Sequence, residues 1–278
     1  MRTTRRQSLQ ILGGLAAGGA LAGCGVLAPR ERVPVVLVHG SWHGPWCWEK
    51  LVPLLRAEGH EVTAVDLQAG RPVEQANLAA YVKRVTDALD AQGAPAVLLA
   101  HSSGGTYASL AAEERAEKVR TLAFLSGFVL ANGESGRDAF KPGSDPGTKL
   151  PPLFRPDFRP GTKIPLQIRL DTSNPAAVKD ALYGDCSDAD VRAAIARLVP
   201  EPAAPGGQPL RLSAERFGRV DKAYIFCSRD NAISPVKQRE FAAKWPMRRT
   251  ATLDASHSPM LSMPARLAQV LNAELMRT

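Results

Sequence analysis

Ala96-Val97-Leu98-Leu99-Ala100-His101-Ser102-Ser103-Gly104-Gly105 is a continuous apolar run that stops at a Ser/Gly cluster. A helical pattern, Thr106–Glu117, follows at once. A strand, a sharp turn and a helix in that order are the setting of an exposed nucleophilic serine. So sharp a turn needs small residues two positions before and two after the nucleophile. With Ser102 those neighbours are Ala100 and Gly104, which fit; with Ser103 they are His101 and Gly105, and the imidazole clashes. Ser102 is therefore the candidate nucleophile, with Ala100 where glycine is usual.

Outward from this turn, short apolar runs alternate with helical patterns. Val33–Val38, Glu61–Leu67, Ala96–Ala100, Leu122–Leu125, Ala223–Cys227 and Thr250–Leu253 read as strands. Helices are predicted over Trp46–Glu58, Val236–Lys244 and Pro264–Met276. Another carries Leu78, Tyr81, Val82, Val85 and Leu89 on one face. Apolar strands without polar alternation, joined by helices, point to an α/β fold: a six-stranded, mostly parallel sheet covered by helices on both faces. Residues 33–127 and 221–278 form this core. Residues 128–220 interrupt it, dense in Pro and Gly at first and then mostly helical over Ala176–Leu198. So long an excursion is more than a connector. It reads as an inserted cap over the carboxyl ends of the strands, where ligands bind in open α/β sheets.

A serine hydroxyl needs a base, and the base an orienting acid. Nucleophiles in this setting are followed along the chain by the acid and then the histidine. Among five histidines only His257 follows the last strand. Asp230 ends the segment Ile225–Asp230 one strand earlier; Asp254 is its competitor, and Asp221 precedes the strand at the wrong edge of the sheet. The place after the strand following Ser102, another position from which an acid could reach the base, shows Ser126-Gly127. Two preset donors for an oxyanion are expected from the backbone N–H groups of Ser41 and Ser103. Gly40 lets the Ser41 backbone approach closely. Gly40, Trp42, Phe128 and Met260 are candidate pocket residues, with Phe140, Phe154, Phe158 and Tyr183 available from the cap. No Cys/His grouping has metal-ligand spacing, and no cofactor is expected; His39 and His43 flank a glycine-broken loop rather than a zinc helix. Cys47, Cys186 and Cys227 read as buried thiols, with one disulfide left open.

These residues resemble the α/β-hydrolase superfamily over roughly 33–276. More closely, Val36-Leu37-Val38-His39-Gly40-Ser41-Trp42-His43-Gly44-Pro45-Trp46-Cys47-Trp48 resembles the plant methylesterase and hydroxynitrile lyase group and similar bacterial esterases. So do Leu182–Val191 and Ile233–Arg239. The resemblance implies a small apolar pocket under the cap, no metal or organic cofactor, and hydrolysis of small to medium carboxylic esters through Ser102, His257 and Asp230. Lyases of the group carry threonine after the first-strand histidine and lysine after the catalytic one. Gly40 and Ser258 stand there in this sequence and favour an esterase. Haloalkane dehalogenases and epoxide hydrolases of this fold use an aspartate nucleophile, against Ser102. The competing readings are an acyltransferase, a lyase-like enzyme, or a ligand-binding lipoprotein without turnover.

The amino terminus reads as an export signal. Arg5-Arg6 resembles a twin-arginine motif ahead of a short Gly/Ala/Leu run. Leu21-Ala22-Gly23-Cys24 looks like a lipoprotein processing box. Residues 1–23 are then a signal, Cys24 the lipidation site, residues 24–32 a linker, and the location the periplasm or cell envelope. The chain has 35 Lys plus Arg against 27 Asp plus Glu, net +8. Without Arg2, Arg5 and Arg6 the balance is 32 − 27 = +5, spread without basic blocks. That distribution argues against nucleic-acid binding, which gathers charge in a stripe.

Overall fold

The computed structural model describes residues 32–275. The expected signal, the Cys24 lipidation site and the linker up to residue 31 lie outside the described residues. Among those described, no helix is long and apolar enough to cross a membrane.

In chain order the strands are β1 (Val35–Val38), β2 (Val62–Val65), β3 (Ala96–His101), β4 (Val119–Leu125), β5 (Phe154–Phe158), β6 (Pro165–Leu170), β7 (Glu201–Pro202), β8 (Lys222–Cys227) and β9 (Arg249–Leu253). The helices are α1 (Val52–Ala57), α2 (Leu78–Asp90), α3 (Gly104–Glu114), α4 (Pro175–Leu182), α5 (Asp188–Ile195), α6 (Pro235–Ala242), α7 (Pro259–Ser262) and α8 (Pro264–Val270).

The six expected strands form one sheet in the order β2-β1-β3-β4-β8-β9. Every pairing is parallel. Burial on both faces explains the uninterrupted apolar strands: Val35 and Leu37 of β1 enter one core, Val36 and Val38 the other. Val97 and Leu99 of β3 likewise oppose Leu98 and Ala100. The predicted apolar face of α2 is buried in the second core. Because β1 lies between β2 and β3, the chain reverses its direction of winding there. The crevice at the carboxyl ends of β1 and β3 is the ligand-binding position of such sheets.

Three predicted helices are broken for local reasons. Trp46–Glu58 becomes a 3-10 turn, Pro45–Trp48, followed by α1, with Pro53 in its first turn. Proline lacks the N–H that a continuous helix would use and clashes with the preceding turn. Ala176–Leu198 divides into α4 and α5 around Tyr183-Gly184-Asp185, and Ser187 Oγ restarts the helix by accepting the Asp190 N–H at 3.2 Å. The closing helix passes from α8 into a π turn at Leu271–Leu275.

Strands β5, β6 and β7, within the interrupting segment, were not legible as strands. They form a separate antiparallel sheet in that order. Their prolines occupy positions a sheet tolerates: Pro156 and Pro202 on the outer strands, Pro165 at the start of β6.

Candidate active site

The loops after β1, β3, β4, β8 and β9 all emerge at the carboxyl edge of the main sheet, bringing together residues that are remote in sequence. Ser102, directly after β3, has φ +54°. A non-glycine residue in this region is held by its surroundings. Its N–H donates to Leu125 O at 3.2 Å, and its carbonyl accepts from Gly105 N at 3.1 Å and Phe128 N at 2.9 Å. The glycines after it are required by space. A Cβ at Gly104 would stand 2.5 Å from His39 O, and one at Gly105 2.2 Å from Phe128 O. Gly40 serves the same end from β1, since a Cβ there would meet Ser102 Cβ at 2.7 Å.

His257 and Asp230 are both buried and joined, Nδ1 to Oδ2, at 2.7 Å. With Nδ1–H donated to the carboxylate, the ring's Nε2 is the basic nitrogen. Asp230 is held by more than this bond. Its Oδ1 accepts Ala232 N–H at 2.7 Å and Ile233 N–H at 2.9 Å, and its Oδ2 accepts from Gln238 Nε2 at 3.3 Å and the Ser126 hydroxyl. Thus Ser126, at the alternative position for an acid, is a hydrogen-bond donor to Asp230. Asp254 is exposed and pairs with Arg229 at 3.0 Å instead. Among the described residues no hydrogen bond joins Ser102 Oγ to His257. The neighbour of Ser102 makes the link: His101 Nε2 donates to His257 O at 2.9 Å, and the two rings lie 4.5 Å apart.

The imidazoles around His257 are neutral. Burial pushes His43 down to about 3 and also lowers His39 and His101. His43 Nδ1–H donates to Ser41 O at 2.8 Å, while Nε2 accepts the Tyr183 hydroxyl at 2.8 Å. His39 Nδ1–H donates to Gly40 O at 2.9 Å, and its Nε2 accepts Leu67 N–H at 3.3 Å. These two histidines brace the first loop. The hydroxyls of Ser41 and Ser103 meet at 2.8 Å, so their residues face one another across the crevice. Among the described residues neither backbone N–H meets an acceptor.

A cavity of about 300 Å³ opens beside this pair. Trp42 and Phe128 line it as expected, together with Phe154, Ile168, Tyr107 and Glu201. Met260, expected there, is a correction: it is fully buried in the core and does not line the cavity, because α7 turns it inward after His257. Gly40 is buried behind Ser102 rather than exposed on the wall. Of the aromatics expected from residues 128–220, Tyr183 is buried against His43, while Phe158 is exposed. Glu201 was not foreseen; its Oε2 accepts Trp42 N–H at 3.2 Å. Nothing in the local sequence marks it, since its role depends on contacts with residues far along the chain. Cys47, Cys186 and Cys227 are free and buried. Among the described residues no group of three or more His, Cys, Asp or Glu could hold a metal ion.

Among curated relatives, "Putative methylesterase 11, chloroplastic" of Arabidopsis thaliana is 34% identical over 247 residues, covering 85% of this chain but 62% of that protein. This chain therefore spans less than two thirds of that relative. Methylesterase 10 of the same plant is 30% identical over 252 residues, covering 85% of this chain and 89% of its own. The crystal structure of polyneuridine aldehyde esterase superposes with a TM-score of 0.76 at 28% identity, over 87% of this chain and 98% of that one. A pyrethroid hydrolase superposes at 0.78 with 25% identity, over 87% and 96%. Residues 35–270, a span that holds every described strand, match the alpha/beta hydrolase family, and the chain belongs to that family.

Proposed function

We propose that this ester hydrolase cleaves small to medium apolar carboxylic esters through Ser102, His257 and Asp230, by way of an acyl-enzyme. The observation that carries the reading is the buried 2.7 Å contact between His257 and Asp230, beside the strained turn that bears Ser102. His257 Nε2 takes the Ser102 proton as Oγ attacks the ester carbonyl, and Asp230 stabilises the imidazolium. The negative oxygen that develops is received by the N–H groups of Ser41 and Ser103, which have no other acceptor among the described residues. The alcohol leaves with the proton from His257. Water activated by the same nitrogen then releases the acid. The methylesterase names of the relatives support an ester substrate, and the Trp42 and Phe128 walls support an apolar one.

On this reading residues 128–220 act as a cap, since Phe154, Ile168 and Glu201 share the cavity with Ser41 and Ser103. Lipid attachment at Cys24 and export to the cell envelope are proposed from the sequence alone. The test of the chemistry is Ser102→Ala. It is expected to abolish p-nitrophenyl acetate hydrolysis and labelling by a fluorophosphonate probe. An unaffected rate refutes the proposal.

A further inference from the structure

The cavity beside Ser41 and Ser103 is mostly apolar, with Arg137 on its wall and a polar cluster at Glu201 built from separate segments. Glu201 comes from β7 and accepts the Trp42 N–H at 3.2 Å. The Tyr107 hydroxyl, carried by α3, also lies close to the Glu201 carboxylate. Thr106, next to Tyr107, lines the same cavity. Thr106 is 1% exposed, and its Oγ1 has no hydrogen-bond partner. A buried hydroxyl without a partner is uncommon and costly. Its residue borders the space that a substrate would fill, and a turn of the side chain about χ1 would present the hydroxyl there.

We propose that Thr106 and Glu201 form a recognition point for a hydroxyl group on the ester, remote from the scissile carbonyl. This deepens the esterase reading and rests on it. Charge narrows the choice of ligand group. Arg137 and Glu201 line the same cavity with opposite charges that offset one another, so neither a carboxylate nor an ammonium on the substrate is favoured by charge. A neutral group that both donates and accepts satisfies Glu201 and Thr106 together, and a hydroxyl does this. Removal from water pushes the Glu201 carboxyl up to about 7, and a hydroxyl can pair with either of its forms. Glu201 is held in place: the Trp42 indole donates to Ile168 O at 2.9 Å, and Ile168 is the register partner of Glu201. A substrate carrying only alkyl groups leaves the Thr106 hydroxyl without a partner, and sites of this kind reject analogues lacking the hydroxyl.

The hydroxyl could sit on the acid or on the alcohol portion, so the test has two arms. Matched p-nitrophenyl esters differ by a hydroxyl or a methyl on the acyl chain; matched acetate esters differ likewise on the alcohol chain. The wild type is expected to favour the hydroxylated member of one arm by about 10-fold or more in kcat/KM, chiefly through KM. Thr106→Val and Glu201→Leu should each bring that ratio toward one, and Glu201→Gln should keep most of it. Should Glu201→Leu not fold, the wild-type ratio and Thr106→Val decide. A ratio near one in both arms, or a ratio untouched by Thr106→Val, overturns the recognition point while leaving the esterase reading standing. Hydrolysis of no ester at all overturns both.

Discussion

Gly104→Ala tests whether the close contact of β1 with the turn at Ser102 is what sets the catalytic geometry. A Cβ at position 104 would lie 2.5 Å from His39 O and 3.0 Å from Val38 O. Carbon–oxygen contacts normally begin at about 3.3 Å, so one side must retreat by close to ~1 Å. The retreat is not free to occur in β1, which is hydrogen-bonded in register to β2 on one side and β3 on the other. The start of α3 must therefore move, and with it Ser102 and the Ser103 N–H. Overpacking of this kind costs about 1–3 kcal/mol. At roughly 2–4 °C per kcal/mol for a domain of this size, Tm should fall by about 2–12 °C.

The effect on turnover should be larger than the effect on stability suggests. A misplacement of ~1 Å between reacting groups can cost on the order of 100-fold in rate. The control is Gly93→Ala, where an added Cβ has nothing within 4 Å. Steady-state hydrolysis of p-nitrophenyl acetate and thermal unfolding are measured on both variants. The expected result is a collapse of kcat in Gly104→Ala with native circular dichroism, and wild-type behaviour in Gly93→Ala. If Gly104→Ala matches Gly93→Ala in both kcat and Tm, the contact does not govern the site and the reasoning fails.

Ser126→Ala removes one donor from the Asp230 carboxylate, a bond to a charged group worth about 1.5–3 kcal/mol. The expected outcome is a drop in kcat of about 10-fold or more and a lower urea midpoint, with Ser126→Thr recovering part of both. Acid should unfold the protein early. His43 titrates near 3 in the folded state against 6.5 ordinarily, so the unfolded chain binds more protons between those values. Stability from this group is complete above pH 6.5 and is lost as pH falls toward 3, at roughly 1.4 kcal/mol per unit for each such histidine. His39 and His101 act in the same direction. Urea midpoints taken from pH 7 to pH 4 should decline steadily, and a flat profile down to pH 5 contradicts the neutral-histidine account. For the amino terminus, palmitate labelling should tag the wild type and vanish in Cys24→Ala; persistence in the variant removes the lipidation proposal.

The main sheet was legible because each of its strands is buried on both faces and so leaves an unbroken apolar run. The turn at Ser102 was legible because its steric demands fall on residues adjacent in sequence. Asp230 and His257 followed from chain order. What was not legible depends on partners far away. Glu201 sits in a Pro-rich stretch whose strand, β7, exists only through pairing with β6. The support that Ser126 gives Asp230 spans 104 residues and leaves no local mark. Met260 follows His257 closely, yet the turn into α7 sends it into the core.

Backbone strain ties these levels together. Trp42, Ser102 and Ser126 have φ of +62°, +54° and +42°, each in a loop following a main-sheet strand. Residues held there cost of order 1–3 kcal/mol each and persist only where their surroundings over-determine them. For Ser102 the surroundings are the sheet and the glycines of α3. For Trp42 they are the interrupting segment: its N–H donates to Glu201, its carbonyl accepts Val199 N–H at 2.9 Å, and its indole is held by β6. Ser41 precedes Trp42, so residues of the 128–220 segment fix the loop that supplies one proposed oxyanion donor as well as lining the cavity. A substitution that loosens that grip should therefore disturb turnover even for esters too small to touch Glu201, because the Ser41 N–H would lose its aim before the cavity lost its shape.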